Sequence, residues 1–196
     1  MTGGRSGGVK QKIGSQNVLY PTPVAVVGAL VNGKANYCNI SHNGILNAAE
    51  PHFIMLSMSK HHHTNLGIRE HKTFSVNIVS ASDLVRADYV GIATGSRTDK
   101  SAVYETFFGE LKTAPLIRDC PLSMECKLYD IYEIKTHEIF IGQVIATYAD
   151  DAVLTDGEVD LEKVKPLLFD MTSRKYWTLG PAAGDCWGAG KRYQKS

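Results

Sequence analysis

The 196-residue chain contains neither G-x-G-x-x-G nor G-x-x-x-x-G-K-[ST], which removes the dinucleotide fingerprint and the P-loop. Its four cysteines, Cys38, Cys120, Cys126 and Cys186, form no C-x-x-C pair, so an iron–sulfur or structural zinc site lacks support. No run approaches the roughly 18 apolar residues of a membrane span, and no apolar signal core opens the chain. Charge of one sign is missing as well. Twenty-one Lys+Arg against twenty Asp+Glu leave a net +1, without the clustered excess that phosphate backbones require. Ser57 does not sit in a G-x-S-x-G elbow, so no hydrolase triad is announced. Residence in the cytoplasm, with reduced thiols, is the simplest expectation.

What is present is mostly β. Val24 through Val31 is an apolar, β-branched run, Asn32-Gly33 is a tight-turn signal, and Lys34 onward returns as a second strand. "HFIMLSMS" and "KTFSVNIV" are further apolar segments too short for typical helices. Residues 122–149 read as a long hairpin turning at Lys135-Thr136, with Gly142 placed for a bulge or a close backbone approach. Thr64 is positioned to cap a helix over 65–71, Ser82-Asp83 opens a second helix, and "SAVYETFFG" offers a third. "YADDAVLTDGEVD" reads as an exposed loop. The Gly- and Lys-rich opening, residues 1–14, reads as a flexible arm before one domain over 15–196 that ends in a C-terminal extension. Strands in hairpins with a few central helices favour an antiparallel barrel over a doubly wound sheet.

Candidate chemistry gathers at a few places. Lys60 is followed by His61, His62, His63, Thr64 and Asn65. Three adjacent histidines suggest a metal, yet neighbouring side chains in a turn diverge. A solvated or packing role and an anion seat beside a helix N-terminus are the other readings. In "NYCNIS", Asn36, Asn39 and Ser41 surround Tyr37 and Cys38; these groups suit the edge of a planar heterocycle, or ordinary turn chemistry. Asn77, a polar amide in a core strand, needs hydrogen-bond partners. Lys100 and His137 are either exposed or suited to an anion, and Trp177 either packs or closes over a ring.

The order of three segments carries more information than any single residue. "YPTPVAVVGALVNGKANYCNIS", "PHFIMLSMSKHHHTNLGIREHKTFSVNIV" and "CPLSMECKLYDIYEIKTHEIFIGQVIATYADDAVL" together resemble the flavin reductase-like, FMN-binding split-barrel family, flavoredoxin-type proteins included. The resemblance implies a mainly β protein: a six-stranded antiparallel split β-barrel with additional helices, forming a homodimer. It implies FMN as cofactor, NADH or NADPH as electron donor or, instead, a redox protein partner, and no covalent catalytic residue. It carries cofactor contacts onto Asn36, Tyr37, Cys38, Asn39 and Ser41, and onto Ser57, Met58 and Ser59 at the polar edge. His63, Thr64 and Asn65 fall at the ribityl-phosphate end; Asn77 matches the "VN" position of the following strand, Lys100 and His137 match basic residues that approach FMN, and Trp177 is an aromatic candidate. The activity implied is FMN-dependent oxidoreduction of the NAD(P)H:flavin reductase type; the alternatives are an electron carrier without direct NAD(P)H activity and a histidine-based metal-binding protein. The chain departs from the family pattern at Thr136, where an acidic residue is usual, in its histidine run, and in "VGIATGSRTDKSAV".

Overall fold

The structure, a computed structural model, describes residues 8–193. Residues 1–7 of the expected N-terminal arm lie outside the described residues; 8–14 are exposed and without regular structure. Seven strands build the main sheet: β1 (Ala25–Val31), β2 (Lys34–Ile40), β3 (Asn43–Asn47), β4 (Phe53–Ser59), β5 (Thr73–Ile78), β6 (Leu122–Ile134) and β7 (His137–Ala149). Their order is β2-β1-β5-β6-β7-β4-β3, antiparallel throughout. The two edge strands are consecutive in the chain and separated only by Ser41 and His42. The sheet must therefore curl until its edges approach, and Ser57 N, donating to His42 O at 2.8 Å, extends the β3–β4 pairing into the two-residue link. This is a split barrel. It has seven strands where six were expected, because the short "NGILN" segment pairs with β4.

The unbroken apolar run of β1 follows from burial on both faces. Ala25, Val27 and Ala29 enter the barrel core with Leu56, Met58, Ile68, Phe74, Val76 and Phe140. Val24 and Val26 face a second core with Tyr37, Val79, Val90, Tyr104, Ile117 and Leu167. Asn32 and Gly33 both take positive φ, 52° and 75°, as a two-residue hairpin turn requires. In β7 the register shifts at Ile141/Gly142, and a Cβ on Gly142 would meet the Phe74 ring.

Helix α1 (Thr64–His71) leads into β5, and α2 (Leu84–Ile92) follows a 3₁₀ turn at Ala81–Asp83. Thr64 is not the cap. His63 holds that position with helical backbone angles and no side-chain cap bond, and the Thr64 hydroxyl instead accepts from Asn36 Nδ2 at 2.7 Å. The helix expected in "SAVYETFFG" is absent. Tyr104 is drawn into the second core edge-on to Tyr37, and Thr106–Phe107 pairs with Leu116–Ile117. The loop expected at 148–160 contains a 3₁₀ turn, Asp151–Val153, and a small hairpin of Leu154–Thr155 with Glu158–Val159. Near the C-terminus, β8 (Leu168–Asp170) and β9 (Lys175–Trp177) form a second sheet with Thr22–Pro23. Among the described residues, no helix is long and apolar enough to cross a membrane.

Candidate functional site

A cleft of about 370 Å³ opens where the two sheet edges meet. Asn39 and Ser41 reach it from the end of β2, and Ser57 and Ser59 from one face of β4 at the two-residue spacing of a strand. His137 begins β7 directly opposite Ser59, so the register brings it to the same wall. His62 enters from the turn before α1; Asp88, Gly91 and Ile92 from α2; Phe169, Met171 and Tyr176 from the C-terminal sheet. The apolar Ile40, Ile92, Phe169 and Met171 thus share the cleft with hydroxyls and imidazoles. Its volume falls in the range of about 300–1,000 Å³ usual for small-molecule sites.

The polar groups are tied to one another. Tyr20 Oη and His42 Nε2 are 3.1 Å apart, and the His42 and His137 rings meet edge to face with centroids 6.2 Å apart. Tyr176 Oη donates to Asp88 Oδ1 at 2.8 Å and accepts from Asn39 Nδ2 at 3.3 Å. Burial and Asp88 push that phenol up to about 12. Burial, then His137, holds the His42 imidazole below its ordinary 6.5. His62 is held below 6.5 by burial first, then by Lys100, His137 and His61.

These two depressions have a consequence for stability. A histidine kept neutral in the fold protonates first in the unfolded chain, so its contribution is complete above pH 6.5 and is lost as pH falls. Thermal unfolding midpoints are expected to drop as pH is lowered through 6.5. A His42→Gln/His62→Gln variant should show a shallower drop; an unchanged slope would contradict the assignment.

On the other side of the His61–His63 turn lies a polar recess of about 400 Å³, lined by Lys34, Asn36, His63, Gly95, Arg97 and Lys100 among others. Lys100 is only 3% exposed. Its ammonium donates to Val90 O and Ala93 O, both at 3.0 Å, and among the described residues no carboxylate pairs with it. Asp99, the one carboxylate lining the recess, is taken by Lys34 at 2.7 Å. Burial accordingly lowers the Lys100 pKa. Gly95 leaves the space: a Cβ there would meet Asn36 Oδ1 and come within 3.1 Å of His63 Cβ.

The structure thus brings Asn39, Ser41, Ser57, Ser59 and His137 to the cleft, and Asn36, His63 and Lys100 to the recess. Other expected contacts are held in packing. Tyr37 is fully buried against Tyr104 with its hydroxyl on Thr106 Oγ1 at 2.7 Å; Cys38 and Met58 belong to the barrel core. Burial pushes the Cys38 thiol up to about 11, away from thiolate chemistry. Thr64 and Asn65 are buried beneath the turn, where Asn65 Nδ2 donates to Ser59 O at 2.9 Å and Glu138 Oε2 at 2.8 Å. Trp177, 49% exposed, lines a different depression with Tyr20, Pro21 and Leu168, because β9 turns Tyr176 toward the cleft.

Asn77 is structural. Its Nδ2 donates to Val26 O and Ser75 Oγ, and its Oδ1 accepts from Ile117 N at 2.9 Å, and it lines neither cavity. Asn77→Ala leaves a buried carbonyl and N–H unpaired and is expected to cost about 2–3 kcal/mol. Chemical denaturation measures that loss, and ligand affinity at matched folded fraction should stay unchanged.

Sequence reasoning missed His42, Asp88, Phe169, Met171 and Tyr176, and did not separate His62 from its neighbours. The only signal for the C-terminal group was an aromatic at matching positions of two short apolar runs, "LLFDM" and "KYW". The three histidines diverge: His61 is exposed, His62 lines the cleft and His63 lines the recess. Among the described residues, no three His, Cys, Asp or Glu side chains are grouped to hold a metal.

The family model described as "Flavin reductase like domain" matches residues 17–178. A flavoredoxin of Methanosarcina acetivorans superposes with a TM-score of 0.90 and 38% identity, covering 94% of this chain and 98% of that one. The flavoredoxin of Desulfovibrio vulgaris (Miyazaki F) gives 0.84 and 31%, covering 93% of this chain and 100% of its own. A protein of Aeropyrum pernix is 25% identical over 163 residues, which make up 79% of this chain but only 59% of that longer one.

Proposed function

The chain belongs to the flavin reductase-like domain family, and on that premise we propose that it is an FMN-dependent oxidoreductase, the cleft receiving the isoalloxazine ring and the recess the phosphate. One observation carries the phosphate assignment: Lys100 is a buried ammonium with no counter-ion among the described residues, lining an open recess with Asn36 and His63. A buried charge is stabilised only when an opposite charge compensates it. A phosphate monoester supplies that charge and the acceptor oxygens for its remaining N–H. Bound FMN supplies the two-electron redox chemistry.

The chain's own residues bind and orient. Phe169, Ile40 and Ile92 offer apolar surface to a planar ring. Ser41, Ser57, Ser59, His62 and His137 offer hydrogen bonds to its polar edge. The Glu138 carboxylate, bonded to Asn65 and to Arg69 Nη2 at 2.5 Å, fixes α1 against the start of β7 and so holds the His62 turn beside His137. No nucleophile is needed.

Two readings of the electron donor follow. NADH or NADPH reduces the bound flavin directly, as in a reductase; or a redox protein partner delivers the electrons, as in a flavoredoxin-type carrier. The 38% and 31% identity to two flavoredoxins supports the second. Stopped-flow absorbance of the FMN-loaded protein separates them: bleaching on mixing with NADH or NADPH supports the reductase, and bleaching only with a reduced protein donor supports the carrier. A homodimer belongs to the same proposal. Ile92, 74% exposed at the cleft mouth, and the exposed Ile45 and Leu46 on the sheet-edge strand β3 give a second copy apolar surface to cover. A monomeric mass at micromolar concentration with FMN bound would refute the requirement for a dimer.

A further inference from the structure

His62 is held in an unusual way. Its backbone is pinned in the turn, with His62 N donating to Ser59 O at 3.0 Å and Asn65 N donating to His62 O at 3.1 Å. Its side chain lines the cleft. Yet Nδ1 is buried and, among the described residues, has no hydrogen-bond partner. A neutral imidazole carries one proton, and placing it on Nδ1 would bury an N–H with no acceptor. The proton therefore belongs on Nε2, the ring nitrogen left for the cleft.

We infer that His62 is a neutral, tautomerically fixed imidazole whose Nε2–H donates to an acceptor on the polar edge of the isoalloxazine ring. This rests on the flavin reading above and extends it to a residue type and tautomer. Protonating the ring would force a second N–H into the partnerless position, and Lys100 from the loop after α2, then His137 from β7 and the adjacent His61, oppose that step too. Asp88, across the cleft on α2, is bonded to Tyr176 rather than to His62. The neighbouring histidines then divide recognition. His62 reads the ring that FMN, FAD and riboflavin share, while His63 lines the recess that reads the phosphate.

The experiment titrates flavin-free protein with FMN and with riboflavin, following flavin fluorescence, for wild type, His62→Phe and His62→Gln. His62→Phe is expected to weaken both ligands by the same factor, about tenfold, for one lost hydrogen bond in a dry site. His62→Gln, which keeps an N–H donor, should stay within about threefold of wild type. Loss of FMN affinity alone, or no loss of either, overturns the inference while leaving flavin binding intact. Wild-type protein that binds neither ligand overturns the flavin reading itself. Nitrogen-15 NMR of histidine-labelled flavin-free protein then decides the tautomer whatever the variants do: an unprotonated Nδ1 on His62 is expected, and a protonated Nδ1 refutes it.

Discussion

Lys100→Met is expected to lower FMN affinity about 100-fold while riboflavin affinity stays within about threefold. The asymmetry follows from the position of the ammonium. It is buried, its two visible bonds go to Val90 O and Ala93 O, and the carboxylate sharing its recess already pairs with Lys34. A charge-assisted hydrogen bond to phosphate contributes about 1.5–3 kcal/mol, and every 1.4 kcal/mol is tenfold. Riboflavin has no phosphate to lose. Equal weakening of both ligands would mean that Lys100 supports the fold of the loop after α2 rather than an anion. Inorganic phosphate should compete with FMN in wild type and not in the variant.

Gly67→Ala is expected to destabilise the fold by about 3 kcal/mol, the upper end of ordinary overpacking. A Cβ at this position in α1 would run into Leu30 O, with Leu30 C at 2.9 Å and Ala29 Cβ at 3.0 Å. The obstacle is the backbone of β1, a strand hydrogen-bonded on both sides, which cannot swing aside like a side-chain tip. The helix must lift instead, taking Thr64 and Asn65 with it and loosening the turn that carries His62 and His63. For a domain of this size the unfolding midpoint should fall by about 6–12 °C. Affinity for FMN and riboflavin should fall together. A melting temperature within about 1 °C of wild type would show that α1 is not seated on β1 as described.

Gly67 also shows where the sequence was legible and where it was not. Its approach to Leu30 joins residues distant in the chain and leaves no local pattern in the sequence. The hairpins were readable because strand alternation and turn chemistry are local: Asn32-Gly33 and Lys135-Thr136 turn the chain where expected. Glu125 shows the limit of alternation. It is fully buried within β6, accepting from Glu110 N, Leu111 N and Tyr148 Oη, partners no periodicity could supply. "SAVYETFFG" failed as a helix for a related reason, since Tyr104 and Phe107 are claimed by distant aromatic partners, Tyr37 and Tyr148.

The candidate site divides the same way. Ser57, Met58 and Ser59 were expected from the family resemblance, and strand alternation then divides them, the two serines to the cleft and Met58 to the core, while His137 stands beside the hairpin turn. Thr64 lies close to the site, but its hydroxyl is spent on Asn36 rather than on the helix terminus. Phe169 and Tyr176 come from a small sheet whose first strand is the two-residue segment Thr22–Pro23. Their pairing, with ring centroids 5.6 Å apart, became apparent only once the chain ends were brought together.

The most direct test of flavin binding at this site is an equilibrium titration of flavin-free wild-type protein with FMN, read by fluorescence quenching and by induced visible circular dichroism. The expected result is saturable binding of one FMN per chain, displaced by excess riboflavin and weakened by inorganic phosphate. Absence of saturable FMN binding by a correctly folded sample would contradict the assignment.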